Sequence, residues 1–175
     1  EKSKVTRSLA QKDFKFLGFS LGKNGNEIYF VRTESHSERQ KNLKLLTKRN
    51  RGRNVRRVTQ EVKVFIRGWI GYFRVADMKR TLMSWDKWLR RRFRMYIWKQ
   101  WKKPKTKAAN LRKLGIPADK VYQWGNSRLG YWRMAGSPAL TCSITNERLA
   151  AAGYFSILNY YESLHYAVEP PCTGR

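Results

Sequence analysis

Between residues 55 and 73, Val55, Val58, Val62, Phe65, Ile66, Trp69, Ile70 and Phe73 recur at steps of three, four and one. That spacing draws one apolar stripe along a helix and fits neither face of a strand. A stripe this long has to be covered, so the chain is constrained to pack helix on helix. Asn54 stands where its side chain can cap the first free N–H groups, which predicts a helix over 55–74. A second stripe, Leu82, Trp85, Leu89, Phe93, Tyr96 and Ile97, predicts a helix from about Asp77 to Trp101, stopped by Pro104. Ahead of both, Ser35 and Glu38 have capping-box spacing and open a helix over 36–49, whose few apolar residues are Leu43, Leu45 and Leu46. Three helices in succession predict an antiparallel bundle. Gly68 and Gly71, adjacent on a helix surface, are expected to let a neighbouring helix approach closely.

The flanks read differently. FKFLGFSL (14–21), the turn GKNGN and EIYFVR (27–32) predict a β-hairpin, with Gly18 marking a bulge or a close backbone approach. Beyond Lys105 the pattern shortens: TKAANLRKLG is one brief helix ending at Gly115 and ADKVYQWG another. Residues 126–141 read as loop, and a last helical pair follows Thr145, broken near Gly153. The expected fold is mostly α: a three-helix bundle preceded by a small β-hairpin, with a short-helix C-terminal appendix. Its expected divisions are 1–34, 35–103 and 104–175.

Charge limits what such a fold can do. Thirty-eight lysines and arginines face twelve acids, a net charge of +26. Residues 134–175 carry only Arg148 and Arg175 against Glu147, Glu162 and Glu169, so the whole surplus lies in the first 133 residues. Unbalanced charge of this size calls for a polyanion, and nucleic acid is the usual one. Arg39, Lys41, Lys44, Lys48, Arg49, Arg51, Arg53, Arg56 and Arg57 fall in a run without an acid. A second run from Lys79 to Lys107 holds twelve bases, Lys79, Arg80, Lys87, Arg90, Arg91, Arg92, Arg94, Lys99, Lys102, Lys103, Lys105 and Lys107, and has Asp86 as its one acid. These are candidate phosphate contacts, joined by Arg67 and Arg74 outside the apolar stripe. Four arginines within Arg90–Arg94 sweep round the helix, so some are expected to lay their stems over the bundle while their heads stay in water. Of the seven tryptophans, Trp69 and Trp85 read as core. Trp98, Trp101, Trp124 and Trp132 stand open between core and stacking on unpaired bases.

Catalytic chemistry has little to stand on. The chain has no Gly-rich phosphate loop, no Ser/His/Asp constellation and no paired-carboxylate motif. His36 and His165 read as surface or satisfied core residues, Asp77 as a cap and Asp86 as surface charge. Cys142 and Cys172 lack partners at metal-ligand spacing, which fits reduced thiols and no metal or cofactor in this chain. No apolar run is long enough to span a membrane and no signal peptide opens the chain, so a cytoplasmic protein is expected. The chain begins at Glu1, as a cut from something longer would. Basic helices also leave membrane-surface binding and a stand-alone, non-catalytic RNA- or DNA-binding module as rival readings.

The order of segments resembles the C-terminal part of group II intron-encoded proteins, which combine a reverse transcriptase with a splicing maturase. EKSKV resembles the close of the polymerase palm, and FLGF its primer-holding edge. KLLTKRNRG followed by IRGWIGYF resembles the maturase-specific region, and WDKWLRRRFRMYIWKQWKKPK the arginine-rich helix after it. LRKLGIP, SRLGYW and LAAAGYFSILNYYESLH are similar to the bacterial versions. Ile70-Gly71 departs from the polar or alanine-like pair expected there.

The resemblance implies that 1–34 ends the palm, that 35–103 is the thumb and maturase-specific domain, and that 104–175 is a helical extension. It implies RNA-directed DNA polymerase and maturase activity for the family, with the polymerase aspartates and their Mg2+ lying before residue 1. The fragment by itself is then expected to be inactive as an enzyme. Implied partners are group II intron RNA and the RNA template–DNA primer duplex, with Phe16, Leu17, Gly18 and Phe19 on the primer side. The implied setting is the bacterial cytoplasm, with an organelle as the alternative.

Overall fold

A computed structural model describes residues 19–24, 27–32 and 36–165, with the first two stretches and residues 36–37 given as backbone. Ser35, Gly18 and Cys172 lie outside the described residues. The architecture is mostly helical, and helices carry its core. Ahead of them, the extended backbones of β1 (Phe19–Asn24) and β2 (Glu27–Arg32) run antiparallel, with Phe19 opposite Arg32 and Asn24 opposite Glu27.

Three helices follow: α1 (His36–Leu46), α2 (Val55–Phe73) and α3 (Lys79–Gln100). Asn54 caps α2, its side chain accepting from the Arg56 N–H at 3.1 Å. Val58, Val62, Ile66, Trp69, Ile70 and Phe73 are buried along one face, as their spacing requires. Across from them α3 buries Leu82, Trp85, Leu89, Phe93 and Tyr96, and the Trp69 and Trp85 rings stack with centroids 5.1 Å apart. α1 ends at Leu46, earlier than the expected 49, and Met78 occupies the N-cap of α3 without a side-chain cap bond. Asp77 is exposed.

The remaining helices are short: α4 (Pro104–Lys113), α5 (Ala118–Gly125), α6 (Tyr131–Ala135), α7 (Pro138–Ser143), α8 (Asn146–Ala151) and α9 (Ile157–His165). Residues 126–141, read as loop, therefore contain α6 and most of α7. Helices of five and six residues are too short to display an amphipathic period, which is why the pattern there was silent. Gly115 ends α4 at φ 78°, letting the Ile116 N–H reach back to the Leu111 carbonyl at 3.2 Å.

The C-terminal helices do not hang as an appendix. One apolar cluster runs from Leu43 through α2 and α3 to Leu111, Val121, Leu140, Leu149, Ile157 and Tyr161. α6 and α9 both pack against α3, α6 near Arg91 and α9 near Asp86. Tyr161 pins the α2–α3 turn, its hydroxyl donating to the Ala76 carbonyl at 2.8 Å. Because α3 is covered from several directions, Arg92 to Tyr96 are buried without a break.

Two further expectations are corrected. Asp86 is buried, 2% exposed, and is no surface charge. Its Oδ1 accepts from the Tyr154 hydroxyl at 2.8 Å and the Ile157 N–H at 3.0 Å, and its Oδ2 pairs with Arg90. Burial, then the charge of Asp86 and the bond to it, push the Tyr154 hydroxyl well above the usual phenol range. Gly68 and Gly71 are exposed, and a Cβ built on either would meet nothing within 4 Å, so among the described residues no helix approaches there.

Candidate nucleic-acid interface

The basic residues split into those that hold the fold together and those that face water. Arg92 and Arg94 belong to the first group, each 8% exposed. The Arg92 Nε donates to Thr47 Oγ1 at 2.5 Å, and its Nη2 to the carbonyls of Lys44 and Thr47 at 3.0 and 3.1 Å. Arg94 donates to the Ile144 carbonyl at 2.8 Å and to Asn146 Oδ1 at 2.9 Å. Burial lowers the pKa of both guanidiniums, and for Arg94 the nearby Arg90 adds to the effect. Their heads are therefore buried rather than wet, and they tie α3 to the end of α1 and to the α7–α8 turn.

Arg90 pairs with Asp86, and Arg91 donates to the Trp132 carbonyl from Nε and Nη2 at 3.2 and 2.9 Å. Lys107 is nearly covered, with its Nζ 4.6 Å from the Trp98 ring centroid and 5.8 Å from that of Tyr131. Those rings are its cation–π partners. Trp98 is core, while Trp101 and Trp124 are half-buried and Trp132 is exposed.

The turn between α1 and α2 is organised by one acid. Arg51, Arg53 and Arg57 converge on Glu61, with Arg51 and Arg57 at 3.7 and 3.4 Å. Arg51 also donates to the Leu46 carbonyl at 3.3 Å, at the end of α1. The Arg53 carbonyl accepts from the Tyr96 hydroxyl at 2.5 Å and from Gln100 Nε2 at 2.8 Å, which fixes the turn against α3. One carboxylate against three guanidiniums leaves a positive surplus at a defined place.

Two cavities lie side by side on this flank and share Arg49. The first, about 580 Å³, lies between α1, α3 and α6 and is lined by Lys41, Lys44, Arg49, Trp88, Met95 and Trp132, among others. The second, about 460 Å³, is lined by Arg49, Arg53, Tyr96, Lys99, Gln100 and Lys102. Cations from the two basic runs, some fifty residues apart in sequence, thus meet on one concave strip. The Arg49 guanidinium and the Lys99 ammonium both sit over Tyr131, at 4.7 and 5.0 Å from its centroid.

Other candidates lie off the strip. Lys48, Arg56, Arg57, Lys103 and Lys105 are exposed and line neither cavity, and Arg39 is half-buried beside α2. Arg67 lies 5.8 Å from the Tyr160 ring centroid on the α9 side. Arg74 is exposed there too, with its carbonyl 2.8 Å from His165 Nδ1. Lys99 comes from the second basic run, whereas Gln100 and Trp88 line the strip without having been singled out, because nothing in their helical position separates them from neighbours on α3. Phe16, Leu17 and Gly18 lie outside the described residues, and Phe19 is described only as the first residue of β1.

Among the described residues no group of three His, Cys, Asp or Glu side chains comes together that could hold a metal ion. No helix among them is long and apolar enough to cross a membrane. Residues 37–115, from α1 to the turn after α4, match the family model described as group II intron, maturase-specific domain. No curated protein matches the chain.

Proposed function

Starting from residues 37–115 as a group II intron maturase-specific domain, we propose that the chain binds the folded RNA of such an intron and promotes its splicing. The observation that carries this reading is the concave strip on which Lys41, Lys44 and Arg49 meet Lys99 and Lys102. Phosphates bridging those groups would neutralise charge that the protein itself leaves unbalanced, and would release counterions as they did so. Arg51, Arg53 and Arg57 hold the turn through Glu61 and present their remaining donors to the same polyanion. The matched span contains every basic candidate from Arg39 to Lys107. The exposed cations off the strip then act by general attraction.

The finer part of the proposal is that the same helices serve as a polymerase thumb, holding an RNA template–DNA primer duplex in intron mobility. The polymerase aspartates and their Mg2+ belong, on this reading, to a preceding palm. Clamping RNA in its splicing-competent shape needs positioned cations and no catalytic base.

Binding of the full chain to group II intron RNA across a salt series tests the reading, together with intron splicing at limiting Mg2+. Log affinity should fall linearly with log salt, by roughly 0.7–0.9 per phosphate contact, and the chain should speed splicing. A flat salt response, or equal affinity for heparin and for duplex DNA, would leave only a general polyanion binder.

A further inference from the structure

We propose that the cavity between α1, α3 and α6 receives one unpaired nucleotide of the bound RNA. Its base would lie against the indoles of Trp88 and Trp132, and its phosphates on Lys41, Lys44 and Arg49. The inference rests on the reading above that the chain binds RNA, and it adds a specific contact to it.

The cavity differs from an ordinary basic groove. It is half open to solvent, its volume of about 580 Å³ is that of a small-molecule site, and its walls combine two indoles and Met95 with four cations, Lys41, Lys44, Arg49 and the inward-held Arg92. A phosphate alone needs no indole. A paired helix keeps its bases stacked inside and cannot insert one, whereas a loop or bulge can. Indole walls under a basic rim match the two halves of a nucleotide, a flat π-face and an anion.

Trp132 is held in place rather than left loose. It is 38% exposed, yet its carbonyl takes both Arg91 bonds and the Arg91 guanidinium lies 4.1 Å from its ring centroid. Gly136 makes room for that arginine, since a Cβ there would sit 2.6 Å from the Arg91 Cζ. Trp88 is backed by Arg92, 5.1 Å from its ring centroid, itself fixed by bonds to the end of α1. Two rings fixed before binding lose little freedom when a base arrives.

The test uses the full chain with two RNAs of equal nucleotide count. One is a hairpin whose loop holds uridines and a single 2-aminopurine, and the other is a blunt duplex. On the hairpin, Trp132→Ala should weaken binding by about 5- to 100-fold, the effect of losing one base–aromatic stack. Duplex affinity should not change, and Trp132→Phe should recover most of the loss. The 2-aminopurine fluorescence should be quenched by the wild-type chain. Equal loss on both RNAs, loss on neither, or an unquenched probe overturns the pocket. Where wild-type binding to both RNAs still falls with salt, the general RNA-binding reading survives that result. Salt-insensitive binding to both would remove the RNA-binding reading and the pocket with it. Circular dichroism checks that Trp132→Ala is folded, and if it is not, the wild-type quench alone decides.

Discussion

Arg94 shows how far a residue's surroundings can depart from its composition. Its guanidinium lies under α7 and α8, bonded to the Ile144 carbonyl and to Asn146. Replacement by lysine keeps the charge but loses the planar fork, and should cost about 1.5–3 kcal/mol in urea unfolding. The RNA affinity of the folded variant should be unchanged, whereas a phosphate contact would show the reverse pattern. Asp86 is the other inward charge, joining Arg90, Tyr154 and the backbone of Ile157. Asp86→Ala strands two donors, the Tyr154 hydroxyl and the Ile157 N–H, beside a part-exposed Arg90, and should lower unfolding free energy by about 2–5 kcal/mol. Neither role was legible in the sequence. The partners of Arg92 and Arg94 are mostly carbonyl oxygens 45 to 50 residues away, and every residue carries a carbonyl. A run of unbalanced arginines looks the same whether its heads end in water or under a later helix. What composition did expose was the surplus itself, and of the run from Arg39 to Arg57, Lys41, Lys44, Arg49 and Arg53 line the strip.

At the level of elements, the long helices were legible because their stripes repeat over several turns. Asn54, Val58 to Phe73 and Leu82 to Tyr96 behave as the spacing requires. α6 and α7 were not, since one turn and a half carries no period, and they form where α6 packs against α3 and α7 against α6. The two glycines of α2 mark the limit of reading a motif without its neighbour. A helix packed on Gly68 and Gly71 would make alanine there destabilising. With open space at both positions, Gly71→Ala should instead raise stability by about 0.5–1 kcal/mol through helix propensity. Thermal or urea unfolding reads the sign directly, and a drop of several kcal/mol would mean that something covers this face in solution. Val64 and Tyr72 leave the same helix exposed as apolar surface, with Val75 just past its end, so the glycines sit within a face that the described core does not use.

For the whole molecule, the question is how a chain with net charge +26 keeps one core. The acids are few but central: Glu61 gathers the α1–α2 turn, and Asp86 joins α3 to the last helices. Aromatic rings also serve as partners for cations, with Trp98 and Tyr131 covering Lys107. The remaining positive charge is unevenly placed, and that unevenness separates two views of the interface. If binding is general attraction, any two or three exposed cations are equivalent. If the concave strip is the interface, Lys41→Gln/Lys44→Gln/Arg49→Gln should reduce the slope of log affinity against log salt by about 2–3. The Arg67→Gln/Arg74→Gln pair, beside α9 and lining neither cavity, should change that slope by less than about one. Equal effects per charge removed would spread the contact over the whole basic surface. A larger effect at Arg67 and Arg74 would move the interface to the α2–α9 side and leave the strip without a role.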